Sequence, residues 1–245
     1  MMNLYHLPAV RKIRHWARRI GMIQLLNRMR KPSSYEESFA AALRHSIIPG
    51  DVIWDIGANV GFYSRQFAEW TGELGKVVAF EPLPAAFLEL QKTAAMGGPG
   101  APIETRNEAL AERTGLAMFD LGDTLSGVAI TTTAHLGDDH SSKPSGHLVE
   151  VYVNTIDEAV GTNAVTAPTV TKIDVEGFEE EVLLGGAATF SSLRSRHVFI
   201  EVHFARLDER NRGDAPGRIV RMLKSWGYQV RWADPSHLHA SRLDA

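Results

Sequence analysis

Apolar runs that stop at an acidic residue recur along this chain. Val52-Ile53-Trp54 leads to Asp55, and Ile56 is followed by Gly57-Ala58-Asn59-Val60-Gly61. Val77-Val78-Ala79-Phe80 leads in the same way to Glu81-Pro82. Each run reads as a buried parallel strand that delivers a polar side chain at its C-terminal end. Beyond them strands and helices alternate. The pattern predicts strands over 51–56, 76–81 and 102–107, with helices over 60–70 and 84–96. It resumes with a helix over 155–161, a strand over 168–175, a helix over 177–188 and a strand over 197–203. A helix over 214–226, closed by Gly227, leads to a last strand over 228–232. Such an order predicts a parallel sheet wrapped by helices on both faces.

Two regions depart from the alternation. Residues 113–153 read as two strands, Leu116–Leu121 and Leu148–Val153, around a loop at 122–147 rich in Gly, Ser, Thr, Asp and His. That length fits a substrate-facing loop or a solvated linker equally well. At the N-terminus, Leu4, Leu7, Val10, Ile13, Ala17, Ile20, Ile23 and Leu26 recur at helical spacing. A helix docked by this stripe is the favoured reading; a membrane-surface helix or a lid is the alternative. A further helix opens at Pro32-Ser33-Ser34 and ends near Ile48-Pro49-Gly50. The chain therefore divides into a basic helical extension, 1–48, and one α/β domain, 49–245.

Charge sharpens this division. Residues 1–31 hold eight of the 26 basic residues and none of the 29 acidic ones, so the remainder is strongly acidic. An acidic body argues against nucleic acid as a general partner. The absence of cysteine excludes disulfides, thiolate metal sites and cysteine nucleophiles. No apolar run approaches the ~20 residues of a membrane span, and the basic N-terminus lacks the apolar stretch of a signal peptide. The protein reads as cytoplasmic, with peripheral membrane contact through residues 1–31 as an open prediction.

The two strand ends fit one nucleoside. Gly57 and Gly61 let the backbone turn tightly and approach a ligand, with Asn59 in the turn between them. Glu81 stands where a carboxylate can accept both ribose hydroxyls. A dinucleotide fold would want G-x-G-x-x-G and a pyrophosphate, which Asp55 would repel. Asp55 suits instead a ligand with an ammonium group, as in S-adenosylmethionine. In a purely structural alternative, Asp55 caps the helix that follows and the glycines only turn the chain.

With these residues in view, the chain resembles the FkbM-type methyltransferase family. The match runs from Pro49-Gly50-Asp51-Val52 through Gly75-Lys76-Val77 to Glu81-Pro82, and on through Asn107-Glu108-Ala109-Leu110 and Asn154-Thr155-Ile156-Asp157. Its most specific piece is Lys172-Ile173-Asp174-Val175-Glu176-Gly177-Phe178-Glu179, and Glu201-Val202-His203 closes it. The resemblance implies a Rossmann-like class I methyltransferase fold, with a mostly parallel seven-stranded sheet whose last strand is antiparallel. It implies S-adenosylmethionine as cofactor, and O-methylation of a small-molecule or glycan hydroxyl on a sugar, glycolipid or polyketide-type product. By position, Asp55, Gly57 and Gly61 would line the methionine part, Glu81 the ribose, and Asn107 and Ala109 the adenine.

A hydroxyl acceptor must lose its proton. Residues two apart on a strand face the same way, so Lys172, Asp174 and Glu176 share a side as one strand ends, with Gly177 positioned to turn Glu176 away. Glu201 and His203 share a side on the next. Asp174 leads as a contact for the acceptor or the methyl donor, and Glu176 or His203 is the candidate base. Asp174, Glu176, Glu201 and His203 also form a candidate set of ligands for a divalent metal such as Mg²⁺. Pairing of these carboxylates with Lys172 and nearby arginines, or helix capping, is the structural alternative. His135, His140 and His147 read as surface residues. An N- or C-methyltransferase on the same scaffold, or a non-catalytic cofactor-binding module, are the competing functions. No Asn-Pro-Pro-Tyr-like stretch, as in amino-group methyltransferases of DNA, follows the fourth strand.

Overall fold

The computed structural model describes residues 34–120, 128–132 and 148–242. The basic stripe of 1–31, and His135, His140 and His147, lie outside these residues.

In chain order the elements are α1 (Ser34–Ser46), β1 (Val52–Ile56), α2 (Phe62–Thr71), β2 (Lys76–Phe80), α3 (Pro84–Ala95) and β3 (Ile103–Arg106). Then come β4 (Ala109–Leu110), β5 (Gly115–Asp120), β6 (Val128–Thr132) and β7 (Leu148–Asn154). The third stretch holds α4 (Ile156–Gly161), β8 (Val170–Ile173), α5 (Glu179–Leu184), α6 (Ala187–Ser191) and β9 (His197–Glu201). Finally come α7 (Phe204–Glu209), α8 (Ala215–Ser225), β10 (Gln229–Trp232) and β11 (His237–Ser241).

Seven strands form one sheet in the order β10-β11-β9-β8-β1-β2-β3. The pairs β1–β2, β1–β8, β2–β3 and β8–β9 are parallel, while β11 runs antiparallel to β9 and β10. From β1 the strand order runs outward in both directions, so a crevice opens between the C-terminal ends of β1 and β8. This is the mostly parallel, seven-stranded α/β architecture that the resemblance implied.

Period-2 alternation sorts the strand residues onto two faces. Ile53, Val77, Val170 and Phe199 pack with Phe39 and Leu43 of α1, Ile47 just beyond it, and Phe67 of α2. Trp54, Ile56, Val78, Phe80, Ile173, Val198 and Ile200 pack on the other face with α4, α5, α6 and α8. Asp55, Lys172 and Glu201 share the parity of the first set, so all three point toward the α1/α2 face.

Four expectations are corrected. The antiparallel strand is His237–Ser241, beyond the expected last strand. Its polar-looking sequence is buried because His237 stacks on Phe39 and His239 on Phe199, with ring centroids 4.0 Å apart in each pair. The expected loop 122–147 contains β6, which pairs with β5 in a second, four-stranded sheet of order β4-β7-β5-β6. The expected helix 177–188 is two short helices, because Gly185 and Gly186 pack too closely to carry side chains; a Cβ on Gly185 would meet the Ala111 carbonyl oxygen at 1.9 Å. The strand expected over 197–203 ends at Glu201, and α7 follows at once.

Candidate active site

The turn after β1 crosses the crevice without a side chain in the way. Gly57 has φ +80°, and a Cβ there would lie 1.9 Å from the Asp174 carbonyl oxygen. The Gly57 and Ala58 N–H groups both donate to the Phe80 carbonyl, at 3.0 and 2.9 Å, which ties the turn to the end of β2. Asn59 takes the left-handed region at φ 52°. Gly61 (φ 86°) then opens α2 without a side-chain cap. Asp55 therefore does not cap this helix, and the capping alternative is set aside.

Asp55 instead lies beneath the crevice, fully buried. Its Oδ2 accepts from Ser64 Oγ at 2.6 Å, and its Oδ1 lies 3.4 Å from Lys172 Nζ. Lys172 reaches Asp174 Oδ2 at 3.2 Å and lies over the Tyr63 ring. Burial alone would depress the Lys172 ammonium, but Asp174 and Asp55 outweigh it and hold it above the usual lysine range. The ammonium complement expected of a ligand is thus already met by this chain's own lysine, and Asp174 is the partner that faces outward.

Glu81 sits at the end of β2, 6% exposed. Its two oxygens accept from the Asn59 and Leu83 N–H groups, at 2.9 Å each. These bonds fix the plane of the carboxylate and leave lone pairs for two further donors. Burial raises its pKa, the backbone bonds oppose the rise, and the charges of Asp55 and Asp174 add to it. Asn107 is exposed and donates to the Glu81 and Pro82 carbonyls, at 2.9 and 3.0 Å. Ala109 lies in β4, paired with Val153.

Asp174, Glu176, Glu201 and His203 come together on the far side of the crevice. His203 Nε2 lies 3.6 Å from Asp174, 3.8 Å from Glu201 and 3.8 Å from Glu176. Glu176 lies beyond the strand in the left-handed region, φ 53°, with Arg206 Nε 3.6 Å away. Gly177 is obligatory beside it: its φ is 96°, and a Cβ would meet Arg206 Cβ at 2.8 Å. His203 Nδ1 bonds Glu179 Oε1 at 2.8 Å, and Gly177 N–H donates to the same oxygen. Burial pushes the His203 imidazole down, but Glu179, Glu176 and Asp174 together raise it to about 9. The carboxylates around the ring thus favour its protonated form.

Four nearby residues were not singled out from the sequence. Glu179, Glu180 and Glu181 read as one acidic helix start, yet Glu179 bonds His203, Glu180 pairs with Arg212 and Arg218, and Glu181 pairs with Arg210. His237 lies 3.5 Å from Glu201 Oε2 and bonds Asp234 at 2.7 Å. Its bond pulls the Glu201 carboxyl below the usual range. The parity of Lys172 with Asp174, and of Glu201 with His203, was visible beforehand. The motif Asn154-Thr155-Ile156-Asp157 proves structural: Asn154 Nδ2 donates to buried Glu108, Thr155 caps α4, and Asp157 accepts from the N–H groups of Ala188 and Thr189.

The family model described as "Methyltransferase FkbM domain" matches residues 55–230. A hexuronic acid methyltransferase, AglP, of Haloferax volcanii is 32% identical over 155 residues, covering 62% of this chain and 56% of that protein. The chain thus spans about half the length of this curated relative. A 31-O-demethyl-FK506 methyltransferase, FkbM, of Streptomyces tacrolimicus is 27% identical over 221 residues, covering 80% of this chain and 81% of that one. The crystal structure of a methyltransferase FkbM from Methylobacillus flagellatus matches with a TM-score of 0.52 at 17% identity, over 79% of this chain and 44% of that one. The SAH-bound Podospora anserina methyltransferase PaMTH1 matches with a TM-score of 0.51 at 9% identity, over 95% of this chain and 87% of that one. At these identities the two structures bear on the fold.

Proposed function

The chain belongs to the methyltransferase FkbM domain family, and on that premise we propose that it transfers a methyl group from S-adenosylmethionine to a hydroxyl oxygen of a sugar or polyketide-type small molecule. The observation that carries this reading is the division of one sheet edge into two chemistries. Along the strand order, Asn107, Glu81 and the Gly57 turn occupy the ends of β3, β2 and β1, whereas Asp174, Glu201 and His203 occupy the ends of β8 and β9. Neighbouring strands lie about 4.8 Å apart, so a nucleoside and an acceptor fit side by side.

The residues suit the cofactor. The oriented Glu81 carboxylate has lone pairs left for two ribose hydroxyls, and the side-chain-free turn at Gly57 lets a ligand approach the backbone. Asn107 stands at the β3 edge, beside the position assigned to the adenine. When bound, S-adenosylmethionine supplies an electrophilic methyl group. This chain's part is to hold the acceptor oxygen in line with it, exclude water and take the hydroxyl proton. Orientation of this kind contributes on the order of 7–11 kcal/mol, and a positioned base about 10²–10⁴-fold. Glu176 is the most open of the carboxylates, at 42% side-chain exposure, and is the proposed acceptor of that proton.

An oxygen acceptor is supported by the name of one relative, a 31-O-demethyl-FK506 methyltransferase, and a sugar acceptor by that of the other, a hexuronic acid methyltransferase. The test is calorimetry with S-adenosylmethionine, followed by radiolabelled methyl transfer to a panel of hexuronosides and polyketide alcohols. Cofactor binding and label in an ether product support the reading. Binding with no transfer to any hydroxyl, or label on nitrogen or carbon, overturns it.

A further inference from the structure

We infer that Asp174, Glu201 and His203 form a divalent cation site, and that buried Glu179 is the outer carboxylate that orients His203 within it. The three groups each offer one ligand atom, and these atoms lie within 4.8 Å of one another. His203 Nε2 faces Asp174 Oδ1 at 3.6 Å and Glu201 Oε1 at 3.8 Å. Those separations exceed the roughly 2.7–2.9 Å of a charge-assisted hydrogen bond. They match the roughly 3–4 Å edge between ligands that each stand about 2.0–2.3 Å from a shared ion.

The second observation is Glu179. It is fully buried, its Oε1 bonds His203 Nδ1 at 2.8 Å, and its Oε2 is buried without a hydrogen-bond partner among the described residues. A buried carboxylate with an unpartnered oxygen is costly to keep. A carboxylate on the far nitrogen of a metal-bound histidine is a recurrent arrangement: it fixes the tautomer and ring plane and makes the ligand more basic. Here it leaves Nε2 pointing at the two carboxylates. Glu201 is held from its other side by His237, which bonds Asp234 in turn, so His203 and Glu201 are both anchored from behind. Two carboxylates and one imidazole, with no thiolate, suit Mn²⁺ or Mg²⁺.

The site lies at the ends of β8 and β9, on the acceptor half of the sheet edge. Its role as a Lewis acid that makes an acceptor hydroxyl easier to ionise rests on the proposed methyl transfer; its existence as a cation site does not.

The test is titration of the chelator-treated full chain with Mn²⁺, followed by electron paramagnetic resonance, with spin-echo modulation to detect a coordinated nitrogen. One bound Mn²⁺ per chain with nitrogen modulation is expected. Asp174→Asn and His203→Ala should weaken binding at least tenfold, and His203→Ala should remove the modulation. Glu179→Gln should weaken binding about 10–100-fold while the protein stays folded by circular dichroism. Glu209→Gln, on an exposed helix end, should leave it unchanged. A folded wild type that leaves Mn²⁺ free, or binding indifferent to Asp174→Asn and His203→Ala, overturns the site. Binding indifferent to Glu179→Gln, with the other two variants defective, overturns the role of Glu179. Parallel calorimetry with S-adenosylhomocysteine separates the two readings. Mn²⁺ binding without nucleoside binding removes the methyltransferase reading and leaves the site, and the reverse removes the site alone.

Discussion

Lys172 stands between two carboxylates of different exposure, 3.4 Å from fully buried Asp55 and 3.2 Å from partly open Asp174. This lysine joins the floor of the crevice to its wall. It neutralises the charge that the first motif places under α2 and holds the second motif's aspartate at the mouth.

Lys172→Met should therefore destabilise the fold by about 3–5 kcal/mol, because it leaves Asp55 charged, buried and without its ion partner. Denaturant unfolding measures this. The double variant Lys172→Met/Asp55→Asn should recover part of the loss, since no fully buried charge is then left without its partner. A double variant no more stable than the single one would mean that the pair is not what holds these strands.

Glu81→Gln should lower the affinity for S-adenosylhomocysteine about tenfold to hundredfold, the worth of about 1.5–3 kcal/mol for hydrogen bonds to a charged group. Isothermal calorimetry reads this directly. Unchanged affinity would exclude Glu81 as the ribose contact.

Gly57→Ala should abolish nucleoside binding and cost more than about 1 kcal/mol of stability. The left-handed φ of +80° strains any L side chain, and the new Cβ would meet the Asp174 carbonyl oxygen at 1.9 Å. Thermal melts with and without ligand would show a lowered Tm that ligand no longer raises.

Acid should loosen the antiparallel edge of the sheet. Arg231 donates to His239 Nδ1, so His239 carries its proton on Nε2 and donates to His197 Nδ1 at 3.1 Å. Burial, then neighbouring positive charge, lowers His197 to about 4 and His239 to about 3. The unfolded chain takes up these protons near pH 6.5, the folded chain only well below it. Stability from this pair is thus complete above about 6.5 and is lost as pH falls toward 4. His239→Phe keeps a ring stacked on Phe199 and should flatten the slope of stability against pH across that window. An unchanged slope would assign the acid sensitivity elsewhere.

Local pattern determined much of this protein. The apolar runs ending at Asp55 and Glu81, the glycine turn and the alternation of strand and helix specify a parallel sheet, because burial on two faces and tight turns leave their mark within a few residues. Parity along a strand placed Lys172 beside Asp174 and Glu201 beside His203. Only the tertiary structure decided that Asp55 serves Lys172 and Ser64 rather than facing the crevice. It likewise decided that Glu179 takes His203 while its neighbours take arginines, and that His237 and His239 are core residues of the antiparallel strand. These outcomes depend on which charges and rings meet across more than a hundred residues, as Lys172 does with Asp55 and His237 with Phe39. Electrostatic and stacking partners of that kind are set by the packing of whole elements, which periodicity along the chain does not encode.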